Sequence, residues 1–108
     1  MELDLTALRS KALEIRQDLC AEGYRVQTAL LFGSHATGTA TAESDIDLAF
    51  VSIDFGRDSF KESALLNRLL FGKIPNAEAV AVPLNDFLDS FPLAPIVWEI
   101  KKNGLALF

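Results

Sequence analysis

Asp45 and Asp47 stand two residues apart in the segment Ser44-Asp45-Ile46-Asp47-Leu48, so in an extended strand their carboxylates project from the same face. Like charges at that range repel, and one pKa rises unless a cation bridges them. Hard divalent ions suit two carboxylates, and magnesium characteristically combines one or two of them with substrate phosphates. Upstream lies Gly33-Ser34-His35-Ala36-Thr37-Gly38, which follows the apolar run Ala29-Leu30-Leu31-Phe32. A strand that ends in Gly-Ser before a helix presents free N–H groups and a positive dipole end, which suits phosphate. Each alone is more often an ordinary turn or a solvated edge, but together the turn and the acid pair read as a site for a metal-bound nucleotide.

Charge around these residues sharpens that reading. No Lys or Arg occurs from Val26 to Gly56, whereas Glu43, Asp45, Asp47 and Asp54 are all acidic. A triphosphate approaching this field needs metal ions for most of the neutralisation, with the Gly33-Ser34 amides and the Ser34 hydroxyl supplying the rest. His35, the single histidine, is next to the turn, but a lone loop histidine is more often a solvated polar residue and is read so here.

These residues carry a resemblance. The form GSxAxGxxxxxSDIDL, with Gly33, Ser34, Ala36, Gly38, Ser44, Asp45, Asp47 and Leu48 in place, resembles the signature of the nucleotidyltransferase superfamily that includes DNA polymerase beta. In length and motif the chain is most similar to the minimal nucleotidyltransferases, which often accompany a HEPN-domain partner. The resemblance implies that Asp45 and Asp47 hold two magnesium ions. It also implies a third carboxylate on a later strand, for which Glu78 in Glu78-Ala79-Val80-Ala81-Val82-Pro83 is the candidate. Gly33, Ser34 and Ser44 would then contact the nucleotide. The implied activity moves a nucleoside monophosphate, AMP from ATP foremost, to an acceptor such as a HEPN-type partner in a toxin and antitoxin pair. Many members carry Arg where this chain has His35 or Thr37. A second reading is therefore an antitoxin of the same fold that acts by binding its partner with little or no catalysis. Small-molecule transfer ranks third, since enzymes of that kind generally carry additional substrate-binding structure.

The elements that must position the motif are legible from periodicity. Leu5, Leu8, Ala12, Ile15 and Leu19 recur at helical spacing from a start near Asp4 or Thr6, and Gly23 stops that helix. Val26 to Phe32 and Ile46 to Ile53 read as strands covered on both faces, with Ile46, Leu48 and Phe50 distributed between the faces. Ser34 to Ala40 has room for a short helix, and Thr39 to Glu43 is a polar loop. A capping box of Ser59 with Glu62 predicts a helix from Phe60 to Phe71, with Leu65, Leu66, Leu69 and Leu70 as its buried stripe. Pro75-Asn76 reads as turn chemistry, Glu78 to Val82 as a third strand, and Asn85 to Asp89 as a helical turn. Pro95 opens a last helix, Lys101 and Lys102 suit its negative end, and Gly104 stops it. Trp98 reads as core or interface. Leu105 to Phe108 is an edge strand or a docking segment. The expected fold is α/β: a nucleotidyltransferase-type mixed sheet of three to four strands with helices packed on it, in one domain spanning residues 1–108.

Composition bounds the setting. Half of the 108 residues are hydrophobic and the mean hydropathy is positive, an apolar surplus that favours an oligomer or partner. A net charge of -5 argues against non-specific nucleic-acid binding. The single Cys20 is expected to be buried or half-buried in a reducing compartment. No segment is apolar enough to span a membrane, and the acidic start Met1-Glu2-Leu3-Asp4 lacks the basic region of a signal peptide, so a soluble cytoplasmic protein is expected.

Overall fold

Alternation of apolar strands with amphipathic helices produces a four-stranded sheet covered on both faces. The computed structural model describes residues 3–108; Met1 and Glu2 of the acidic start lie outside them. The order is α1 (Leu5–Ala21), β1 (Val26–Phe32), α2 (Ser34–Thr37), β2 (Ile46–Ser52), α3 (Ser59–Leu70), β3 (Ala77–Pro83), α4 (Leu84–Leu88), α5 (Pro95–Asn103) and β4 (Leu105–Ala106). Strands are arranged β3-β2-β1-β4, with β1 antiparallel to β2 and β4, and β2 parallel to β3. The sheet is therefore mixed, as expected. The tail resolves as a short edge strand against Leu30 and Leu31.

Each face has its own core. On one side, Leu8, Ala12, Ile15 and Leu19 of α1 and Leu66 and Leu70 of α3 pack on Leu31, Leu48 and Phe50. On the other, Val97 and Ile100 of α5 cover Leu30, Ala49, Val51 and Val82. Ile46, Leu48 and Phe50 do not distribute between the faces. Strand alternation sends all three to the α1/α3 side, so Ala49 and Val51 share the opposite side with Asp47. Leu5 is exposed, so the buried stripe of α1 begins at Leu8. Cys20 falls outside that stripe and is exposed, against expectation.

The entry to α3 also differs from expectation. Its cap is Asp58, whose Oδ1 accepts the Lys61 N–H at 3.1 Å; Ser59 is the first helical residue. Glu62 folds back under the turn, where its buried carboxylate accepts N–H groups from Gly56 (2.8 Å), Arg57 (3.2 Å) and Asp58 (3.2 Å). It stitches the β2–α3 turn together.

Asp54 leaves the acidic field to which its sequence position assigned it. It follows the far end of β2, where its carboxylate accepts the Arg25 main-chain N–H at 2.8 Å and Arg25 Nε and Nη2 at 3.0 Å. The Arg25 side-chain hydrogen bonds, followed by the main-chain one, pull its pKa down to about 2. A lowered carboxylate pKa contributes stability above the unfolded value near 4 and loses it as pH falls through about 2. Thermal midpoints measured across that window should fall more steeply for the native chain than for Asp54→Asn. The variant should be the less stable at pH 7.

Candidate active site

Register brings the motif together at one end of the sheet. Phe32, the last residue of β1, pairs with Asp47 of β2, and Asp47 pairs with Glu78 of β3. Glu78 thus lies directly across the parallel ladder from Asp47 on the same face, one strand spacing of about 4.8 Å away. Asp45 precedes β2 by one residue and is exposed, as is Glu78, whereas Asp47 is half-buried. The start of β2 is anchored by the Ile46 N–H donating to the Asn76 carbonyl at 2.7 Å. Asn76 is more than the turn residue its sequence context indicates. At a φ of 58° it is the one non-glycine residue in left-handed conformation among those described, and its carbonyl fixes where the acidic strand begins.

Gly33 links the turn to the acids. With φ at 73° and ψ at -155°, it occupies backbone space that L side chains avoid, and it caps α2 without help from any side chain. A Cβ on Gly33 would run into Asp47 Oδ2 and sit 3.1 Å from Asp47 Cγ. The carboxylate rests against bare main chain. Ser34 opens α2 beside it, and Gly38 ends that helix earlier than Ala40. Ser44 Oγ accepts the Thr41 N–H at 2.8 Å, so this hydroxyl closes the polar loop before Asp45. His35 is half-buried, with Nε2 3.3 Å from the Ser44 carbonyl oxygen.

Charge at this end is unbalanced. Burial first, then the neighbouring Glu78 and Asp45 carboxylates, raise the Asp47 pKa, while His35 opposes the rise. Among the described residues the ion pairs lie elsewhere, at Glu14, Asp18 and Asp54; none neutralises Asp45, Asp47 or Glu78. Their oxygen donors suit a hard divalent cation. No three acidic, histidine or cysteine side chains among the described residues gather tightly enough to enclose a metal. Magnesium in general takes one or two carboxylates and completes its shell with waters and substrate phosphates. A cavity of about 560 Å³ opens between Asp45 and Glu78, walled by Asn67, Phe71 and Asn76. A second, of about 330 Å³, lies behind the turn against Leu8, His35, Ser44 and Ile46.

The mixed sheet thus sets a Gly-Ser turn beside paired acids on the next strand. The model of the nucleotidyltransferase domain matches residues 13–105, and the chain belongs to that family. Solved structures agree in fold. A toxin–antitoxin structure containing AMP-PNP is similar with a TM-score of 0.63 at 22% identity, over 93% of this chain and 72% of the other. A mutant of the toxin–antitoxin MntA-HpeT gives 0.61 at 22% identity, over 93% and 72%. A Sulfolobus solfataricus protein assigned as a nucleotidyltransferase gives 0.58 at 19% identity, over 94% and 77%. Among curated proteins, none matches in sequence.

Proposed function

We propose that Asp45, Asp47 and Glu78 bind magnesium together with a nucleoside triphosphate, ATP foremost, and that Gly33, Ser34 and Ser44 seat the nucleotide. The observation that carries this reading is the register that sets Glu78 across from Asp47 and Gly33 against its carboxylate. Bound magnesium, two ions in the full complement, would supply the charge neutralisation that three uncompensated carboxylates and a triphosphate require. The chain's own contribution is positional. The Gly33-Ser34 turn orients the phosphates, and Asp47, held between Phe32 and Glu78, fixes one end of the site. Glu78, exposed and across the ladder from Asp47, would either bind the second ion or receive the proton of an acceptor hydroxyl. The acceptor oxygen bonds to the α-phosphorus, the bond to the bridging oxygen breaks, and pyrophosphate leaves.

The acceptor in this proposal is a side chain of a partner protein, of HEPN type, in a toxin and antitoxin pair. The pair would act in the cytoplasm. Both the catalytic reading and the alternative, neutralisation by binding alone, draw support from the exposed apolar side chains of Leu88, Phe91, Leu93, Ile96 and Trp98 in the segment around α5. Trp98 is not core: its Nε1–H donates to the Pro92 carbonyl at 2.7 Å, and its ring lies 6.3 Å from that of Phe91. Such a braced aromatic is the kind of anchor that dominates interfaces.

The test is incubation of the purified chain and its genomic neighbour with α-labelled ATP and magnesium. Transfer predicts label on the partner and release of pyrophosphate. A stable complex without label would favour the binding reading.

A further inference from the structure

The loop from Thr39 to Asp45 joins the phosphate turn to the acidic strand, and most of its hydrogen bonds are local. The Ser44 N–H donates to the Thr41 carbonyl at 3.1 Å, the Thr41 N–H to Ser44 Oγ at 2.8 Å, and Thr41 Oγ1 to Glu43 Oε2 at 3.3 Å. At the near end, the Thr39 N–H donates to the Ser34 carbonyl at 3.0 Å. None of these bonds ties the far end back to α2.

Among the hydrogen bonds of the described residues, His35 makes that tie alone. Its Nε2 lies 3.3 Å from the carbonyl oxygen of Ser44, the residue before Asp45. A carbonyl only accepts, so the bond requires the proton on Nε2. The ring is half-buried and forms part of a cavity wall with Ser44, Ile46 and Asn76. Asn76 holds the same short segment through the Ile46 N–H. The peptide that carries Asp45 is therefore held between two partners, one of them on the phosphate-binding helix.

We infer that His35 is a positioning residue whose Nε2–H, by holding the Ser44 carbonyl, sets the offset between the Gly33-Ser34 turn and the Asp45–Asp47 pair. This inference rests on the nucleotide-and-metal reading of the site. It assigns His35 a role through the backbone, in place of the solvated loop residue the sequence alone indicates. An offset error between phosphate turn and carboxylates weakens the joint binding of metal and nucleotide without unfolding the protein.

Two variants and two measurements test it. His35→Ala removes the donor, and His35→Gln restores an N–H of similar reach. In calorimetric titrations of ATP at increasing Mg²⁺, His35→Ala should raise the half-saturating Mg²⁺ concentration by roughly five- to tenfold, and His35→Gln should recover most of the loss. Hydrogen exchange should accelerate in His35→Ala over residues 39–45, with the thermal midpoint unchanged, and return toward the native rate in His35→Gln. A wild-type magnesium midpoint in His35→Ala would overturn the inference, as would equal defects in both variants. If the native chain itself binds no ATP with magnesium, the nucleotidyl reading fails, yet exchange still decides the tether: accelerated loop exchange supports it and unchanged exchange refutes it.

Discussion

Asp47→Asn is expected to reduce magnesium-dependent nucleotidyl transfer by roughly a thousandfold or more, the scale for removing a group that organises transition-state charge. In the metal-free state the same variant should be the more stable protein. Burial and the facing Glu78 and Asp45 carboxylates raise the Asp47 pKa, so its ionised form is disfavoured in the fold. For a carboxyl raised in this way, the stabilising contribution is complete below the unfolded value near 4 and is lost as pH rises through the folded value. At neutral pH the native chain carries that loss, and asparagine does not. Like charges directly across a ladder make it about 0.2–1 kcal/mol, a gain for Asp47→Asn of up to roughly 5 °C in thermal midpoint. Magnesium with ATP should reverse the order by stabilising the native chain and leaving the variant unmoved. Differential scanning fluorimetry with and without Mg²⁺-ATP, beside the labelling assay, reads all three effects. A variant that loses activity through unfolding would contradict the account.

Gly33→Ala should be the more damaging substitution. Its backbone, at φ 73° and ψ -155°, is in a region that costs a residue with a Cβ roughly 1–3 kcal/mol, and the added methyl would occupy the space of the Asp47 carboxylate. Alanine must therefore either shift the turn or push Asp47 from its place opposite Glu78, and both outcomes disable the site. Urea denaturation should show the loss of stability at an unchanged m-value, and Mg²⁺-dependent ATP binding should disappear. A double variant separates the two causes. Asp47→Ala empties the space that the Gly33 methyl would enter, so Gly33→Ala with Asp47→Ala should be less destabilised than the sum of the single changes, with only the backbone term remaining. Strict additivity would show that the carboxylate does not press on Gly33.

Both predictions concern a contact that the sequence contains without displaying. Gly33, Ser34, Asp45 and Asp47 are visible as a spacing, and the strands around them are visible because Ala29 to Phe32 and Leu48 to Val51 are apolar on both faces. That Asp47 touches Gly33 follows from the pairing of Phe32 with Asp47, and register belongs to two strands together. Glu78 could be chosen from order along the chain, but its position opposite Asp47 is a property of the parallel ladder. Asp54 departs from its sequence reading for the same reason. Its partner Arg25 comes from before β1, so a local reading of charge counted an already neutralised carboxylate as part of the site. Asp58 and Ser59 fit the local capping pattern equally well, and the choice between them depends on how Glu62 folds under the turn. Pro75-Asn76 signals a turn, but the anchoring of Ile46 by the Asn76 carbonyl depends on how β3 lies beside β2 and has no local signature.

The central claim is that the carboxylates of Asp45, Asp47 and Glu78 require a divalent cation before a triphosphate can settle on the Gly33-Ser34 turn. Isothermal titration of ATP into the native chain, first in excess EDTA and then in Mg²⁺, tests it most directly. No measurable binding is expected in EDTA, and saturable binding in Mg²⁺ that is lost in Asp47→Asn. Binding of equal strength in both buffers, or binding in Mg²⁺ that survives Asp47→Asn, would contradict it.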